Sequence, residues 1–248
     1  MSNRERDAFF VGYLATPTEQ RRFLWRAGVL VLVIGAMVGV GLAAFQRDPG
    51  SGVWDLNEAK ELEGVIDVRP CPLIRVIEGG RPISVLLVGE GKVGVADRVA
   101  EMAGKRVKVR GHTLTRAAVR MFEVEDGTEA LRVLAGESSA AVPATERGDV
   151  VLRGEVVDPK CFAGAMKPGD GKTHKGCAVL CLRGGIPPVL STGEGEYLLV
   201  DEAGDSLRGQ ALERVVPFVG EAVEVKGVVI VRGDLQTLTV SAGTVRRL

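Results

Sequence analysis

Cys161, His174, Cys177 and Cys181 fall in one run, "CFAGAMKPGDGKTHKGCAVLCLRGGIPP", from Cys161 to Pro188, which holds three of the chain's four cysteines and one of its two histidines. Three thiolates and an imidazole suit tetrahedral zinc. Adding the thioether of Met166 suits copper instead. If "HKGCAVLC" starts a helix, His174, Cys177 and Cys181 stand at i, i+3 and i+7 and share one face, with Cys161 at the end of a preceding strand as the fourth donor. The CxxC knuckle usual in zinc knots is missing. The same residues also read as a staple. A bond from Cys161 to Cys177 or Cys181 closes a loop of about 17–21 residues and contributes about 3 kcal/mol by loop entropy. Cys71 is then buried and free, or bonded to the remaining cysteine. A reactive redox thiol is the third reading. Disulfide, transition-metal or haem-related site, and reactive thiol all stay open.

Other chemistry is thin. There is no CxxCH for covalent haem, no pair of CxH boxes for a Rieske cluster, and no Ser/His/Asp set or paired carboxylates, so no catalytic residue is assigned and a non-catalytic protein is expected. "GDGK" (169–172) lacks the strand before it and the helix after it that a phosphate loop needs, and reads as a turn. His112 reads as a strand histidine with a hydrogen-bond partner. The basic residues of "KRVKVR" (105–110) read as a solvated strand face. Gly184, Gly185, Ile186, Pro187 and Pro188, the stiff apolar end of the cysteine run, read as an exposed surface for a protein partner.

The elements that carry the cysteines emerge from an internal repeat. "LEGVIDVRPC" (62–71) matches "LRGEVVDPKC" (152–161) at an offset of 90, pairing Gly64 with Gly154 and Cys71 with Cys161. "MAGKRVKVRG" (102–111) matches "FVGEAVEVKG" (218–227) at an offset of 116, pairing Gly104 with Gly220 and Gly111 with Gly227. The second copy has therefore gained about 26 residues between Cys161 and the strand "YLLV" (197–200), an insertion that the first copy folds without. Within a copy the order is strand, strand, short helix, strand, strand. That resembles the OB-fold, a five-stranded barrel, if the first long strand bends and counts twice; an SH3-like barrel is the alternative. The expected fold is mainly β: a membrane helix, then two duplicated OB-like barrels, the second with a Cys/His-bearing insertion. The expected boundaries are a cytoplasmic segment 1–27, a transmembrane helix 28–46, a linker 47–60, barrel one 61–135, a linker 136–149, and barrel two 150–248 with the insertion at 162–196.

Gly28 to Phe45 is 18 residues without a charge, close to the ~20 that cross a bilayer as a helix. The segment before it carries Arg4, Arg6, Arg21, Arg22 and Arg26, which by the positive-inside rule keeps the N-terminus in the cytoplasm. Its leading region is too long for an ordinary cleaved signal peptide. Phe9, Phe10 and Tyr13 suit the headgroup belt, or contact with another membrane protein. The expected location is a bacterial inner membrane, crossed once, with the barrels in the periplasm, where cysteines can oxidise. With 32 basic and 32 acidic residues and only 4% aromatics, the chain offers neither the charge nor the stacking platforms that single-stranded nucleic acid needs, so no nucleic-acid partner is expected.

A single-span anchor followed by an OB barrel is similar to the haem chaperones of bacterial cytochrome c maturation. Those carry a histidine and a tyrosine near the barrel's C-terminal edge. This chain ends "TVRRL" and has two barrels, so the resemblance covers architecture and not the haem motif. The run from Cys161 to Pro188 also resembles a stretch found in membrane-anchored bacterial proteins, a likeness that brings no activity with it. The expected function is a membrane-anchored accessory or assembly subunit of a respiratory or redox membrane complex. The alternative is a metal-, copper- or haem-handling or thiol-redox protein using the Cys161–Cys181 loop. An OB module for an oligosaccharide or peptide is a distant third.

Overall fold

The computed structural model describes residues 16–46, 51–136 and 142–248. The chain divides into two compact units, Met1–Asp48 and Pro49–Leu248. The described residues of the first form one helix, α1 (Thr18–Phe45), with none of its side chains buried. It is long and apolar enough to cross a membrane. It begins ten residues before the expected span at Gly28, because the polar residues ahead of the apolar run include Glu19 and three arginines, all good helix formers.

The second unit is two barrels of one topology. In the first, β1 (Val53–Asp67), β2 (Leu73–Glu78), β3 (Arg81–Gly89), β4 (Arg106–Arg116) and β5 (Val119–Val124) lie in the order β1-β2-β3-β5-β4, closed by β4 pairing back to β1. In the second, β7 (Ala144–Val157), β8 (Val189–Thr192), β9 (Glu196–Val200), β10 (Ala222–Arg232) and β11 (Leu235–Thr239) repeat it. In each, the third and fifth strands run parallel and the rest antiparallel. A helix follows the third strand: α2 (Ala96–Val99) in one copy, α4 (Gly209–Val215) in the other. Short strands β6 (Leu131–Val133) and β12 (Val245–Arg247) add to β4 and β10. These are OB-like barrels.

Three expectations need correction. The fifth strand is not the first counted twice. β1 does shift register between Asp55 and Lys60, but the missing strand is β2, whose pattern is hidden by Arg75 in mid-strand. Arg75 is buried because Asp67 and the Ser84 hydroxyl accept from its guanidinium. The barrels also start earlier, at Val53 rather than 61 and at Ala144 rather than 150, so the linkers 47–60 and 136–149 are shorter than read. The outer halves of β1 and β7 pair only with β4 and β10 and stay largely exposed, so no apolar alternation marks them. The insertion ends before β8, at residue 188 rather than 196. The link between first and second strands runs over 68–72 in one copy and 158–188 in the other.

The repeated glycines have packing reasons. A Cβ on Gly64 or Gly154 would lie 2.3 or 2.2 Å from the carbonyl oxygen of Arg75 or Ser191. One on Gly111 or Gly227 would lie 1.9 Å from that of Glu123 or Thr239. Gly104 and Gly220 turn the chain out of the helix at φ +72° and +70°, and their N–H groups donate to the Ile66 and Val156 carbonyls at 2.8 and 2.9 Å.

The second unit has three apolar cores. One fills barrel one around Phe122, Ile74 and Leu87. One fills barrel two around Leu190, Leu199 and Leu238. The third lies between them. Alternate residues of the second and third strands, Leu73, Leu86 and Val88 on one side and Val189, Leu198 and Val200 on the other, meet there with Cys161, Cys181 and Ile186. Contacts across this seam are reciprocal. The Ser84 N–H donates to Asp234 and the Ala118 N–H to Glu196, and these four positions exchange under the repeat.

Candidate metal centre

At the end of β7, Asp158 Oδ1 accepts the N–H groups of Lys160 (3.0 Å) and Cys161 (3.2 Å). This fixes a helical turn, Cys161–Ala165, which ends where Gly164 takes φ +135°. The chain then folds back so closely that a Cβ on Gly169 would lie 2.1 Å from the Cys161 carbonyl oxygen. Arg116 lies 4.0 Å from the centre of the Phe162 ring and pairs with Asp170 at 2.9 Å. Glu155 accepts the Gly171 N–H. The helix expected at "HKGCAVLC" is α3 (Lys175–Arg183), with His174 just before it. Its four-residue spacing puts Cys177 and Cys181 one above the other, facing Cys161.

The three sulfurs lie within 4.8 Å of one another, with Cys161 Sγ and Cys177 Sγ 3.8 Å apart. Cys161 and Cys181 are buried and Cys177 is partly exposed. The expected fourth donor is drawn elsewhere. His174 forms a second group with Cys161 and Asp158, its Nε2 3.5 Å from Asp158 Oδ2. Cys161 is thus common to a three-sulfur set and to an Asp–Cys–His set. Met166 is 48% exposed. Cys71 is buried in the seam core and belongs to neither set; burial pushes its thiol up to about 12. All four thiols are free.

Two residues that matter here were not singled out from the sequence. Asp158 has a local signal, an acid three residues before a cysteine at a strand end. Lys92 has none, because it comes from barrel one. Its Nζ lies 2.6 Å from Cys177 Sγ, and that contact holds the ammonium above its ordinary range. Within the trio, the nearby Cys181 sulfur, with burial and the Asp158 charge, drives the Cys161 thiol up, and the Cys161 thiol in turn holds Cys181 down.

The apolar part of the GGIPP segment is not an exposed partner surface, although Gly184 is half-buried and Gly185 exposed. Ile186, Pro187 and Pro188 are buried, and Ile186 sits in the seam core. Gly184 and Gly185 lie against barrel one. The Gly94 N–H donates to the Gly184 carbonyl at 2.9 Å, and a Cβ on Gly184 would lie 1.8 Å from the Lys92 carbonyl oxygen. The glycines are there for close approach within the chain. Phe9, Phe10 and Tyr13, read as partner contacts, lie outside the described residues. His112 Nδ1 lies 3.2 Å from the Asp55 carbonyl oxygen, and the basic face of β4 is paired, Arg106 with Glu63, Lys108 with Glu61 and Arg110 with Glu125.

Chemically, the trio is a set of soft donors already at bonding separation. Zinc–thiolate bonds of about 2.3 Å place tetrahedral sulfurs about 3.8 Å apart. Among the described residues, no His, Cys, Asp or Glu completes this trio to four. Structural zinc sites are closed by four protein ligands; sites that exchange or activate something keep a position open. OB-folds commonly bind ligands on the face of strands two and three, and here both such faces are buried in the seam. No protein-family model matches the chain, and no curated protein matches it.

Proposed function

We propose that this chain is a membrane-anchored metal-binding protein that holds a thiophilic ion, zinc or copper(I), on Cys161, Cys177 and Cys181. The observation that carries the reading is the triangle of three thiols, built by a strand end and a helix face that the first repeat lacks. Asp158 and His174 orient the Cys161 turn and the start of α3. Lys92 places a positive charge beside Cys177, which offsets the negative charge that three thiolates bring. The open fourth position suits an ion that is exchanged or handed on. α1 serves as the anchor, with the N-terminus in the cytoplasm and the barrels outside a bacterial inner membrane. The proposal is tested by counting metal in the purified, reduced full-length protein, and in Cys161→Ser and Cys181→Ser variants. Wild type retaining stoichiometric metal that either substitution abolishes supports it; a metal-free wild type reconstituted without any binding sinks it.

The reading as an accessory subunit of a respiratory or redox complex keeps one support, the anchor helix, because the apolar GGIPP segment is internal. Co-purification in mild detergent separates the two: a stoichiometric partner without metal favours the subunit, metal without a partner the carrier.

A further inference from the structure

The three thiols are not equivalent, and their differences point to control by oxidation. Cys161 and Cys181 are 4% and 1% exposed, whereas Cys177 reaches the surface. Cys177 is also the thiol beside a cation, the Lys92 ammonium. Cys177 is thus the sulfur of the trio that a dissolved oxidant reaches first. Its nearest sulfur from another element is Cys161, at 3.8 Å. The other candidate, Cys181, sits one turn along the same helix. Residues four apart on a helix hold their Cβ atoms about 5–6 Å apart, beyond the roughly 3.5–4.5 Å that a disulfide allows. While α3 stays intact, Cys177 therefore has one partner within the cluster, Cys161.

We infer that the metal centre is redox-gated: oxidation of Cys177 by a low-molecular-weight disulfide joins it to Cys161 and expels the ion. This rests on the metal reading above. The Cys177 thiolate attacks one sulfur of R–S–S–R and releases RS⁻. The Cys161 thiolate then attacks Cys177 Sγ in the mixed disulfide and releases the second RS⁻. Two thiolates become one disulfide, the oxidant is reduced to two thiolates that take protons from water, and two metal–sulfur bonds break. The ion is left with Cys181 alone and departs hydrated. Lys92, 2.6 Å from Cys177 Sγ, speeds the first step by steadying the charge that passes to the leaving group. The staple and the metal site, alternatives when only the sequence is read, become the oxidised and reduced states of the same sulfurs.

The test uses the full-length protein in mild detergent, reduced, loaded with zinc and freed of excess. Oxidised glutathione is added; zinc release is followed with a chromophoric chelator, and disulfides are mapped by mass spectrometry of unreduced peptides. The expected result is a Cys161–Cys177 bond forming at the rate at which zinc appears, with rebinding after reductant. Lys92→Met should slow both without moving the bond. Cys181→Ser should lose zinc yet keep the bond; should that variant misfold, the wild-type mapping decides alone. Zinc retained while the bond forms, or a bond to Cys181 or Cys71 instead, overturns the gating and leaves the metal reading standing. A reduced protein that forms the bond but never holds zinc overturns both.

Discussion

Lys160 and Glu123 form an ion pair across the seam between the barrels, with side chains only 3% and 5% exposed. Lys160 Nζ also donates to the carbonyls of Gly89 and Gly91, at 2.8 and 2.6 Å. The residue beside Cys161 is thus fastened to barrel one by every donor on its ammonium. Lys160→Met leaves a buried carboxylate and two carbonyls unpartnered and should cost about 3–5 kcal/mol. The double variant Lys160→Met, Glu123→Leu should regain a large part of that loss. Chemical denaturation of the three proteins measures it; a single variant as stable as wild type would show the pair to be dispensable.

The paired glycines should fail alike. Gly111→Ala and Gly227→Ala each drive a methyl group into backbone that cannot step aside, at or beyond the roughly 1–3 kcal/mol usual for overpacking. Gly104→Ala meets open space and bears only the cost of a left-handed conformation, about 1 kcal/mol. Thermal melts should rank them in that order; Gly104→Ala melting lowest would refute the packing argument.

The reciprocal seam contacts should have unequal costs. Both carboxylate oxygens of Asp234 accept from the Ser84 N–H, at 3.0 and 3.1 Å, in partly buried surroundings, whereas Glu196 accepts from Ala118 at 3.2 Å in the open. Asp234→Ala should cost about 1–3 kcal/mol by stranding an N–H, and Glu196→Ala clearly less. Equal midpoints in urea would count against this.

Acid should loosen α3. Lys175, its first residue, donates to Glu221 at 2.9 Å and to the Pro217 carbonyl, and this bond holds Glu221 below its ordinary 4.5. A carboxylate depressed by folding contributes stability above its unfolded value and loses it as pH falls through the lower, folded one. Melting temperature should therefore drop below pH about 4.5, and Glu221→Gln should flatten that part of the profile. A variant with the wild-type slope would rule the pair out as its source.

Topology is open to a reporter test. A periplasmic reporter fused after Asp55 should be active and a cytoplasmic one silent, by the arginine bias before α1. The reverse pattern would invert the orientation proposed for the barrels.

What could be read without coordinates was whatever the chain says twice or says locally. Gly64, Gly104 and Gly111 recur at 154, 220 and 227 because the same backbone contacts recur, so the duplication and the insertion were legible. Cys177 and Cys181 on one helix face were legible because helical spacing is local. β2 was not, since Arg75 breaks its apolar run and its partners, Asp67 and Ser84, are known only once the hairpin forms. Lys92 and the buried fate of Ile186 were not, because each depends on the other barrel. Pro187 and Pro188 looked like part of an exposed end because glycine and proline mark turns and close packing with the same letters.

The exchange of positions 84 with 196 and 118 with 234 across the seam is the geometry of a two-fold dimer written into one chain. In a dimer of identical one-barrel subunits, any lengthening of the loop between first and second strands would happen on both sides of the axis at once, and each new loop would need its own docking site on the other subunit. Covalent joining removes that constraint. Here one loop is the long cysteine-bearing segment, and its counterpart is short, fastened by Arg69 to Asp205. The single chain can therefore carry one cysteine cluster where a symmetric dimer would have to carry two or none.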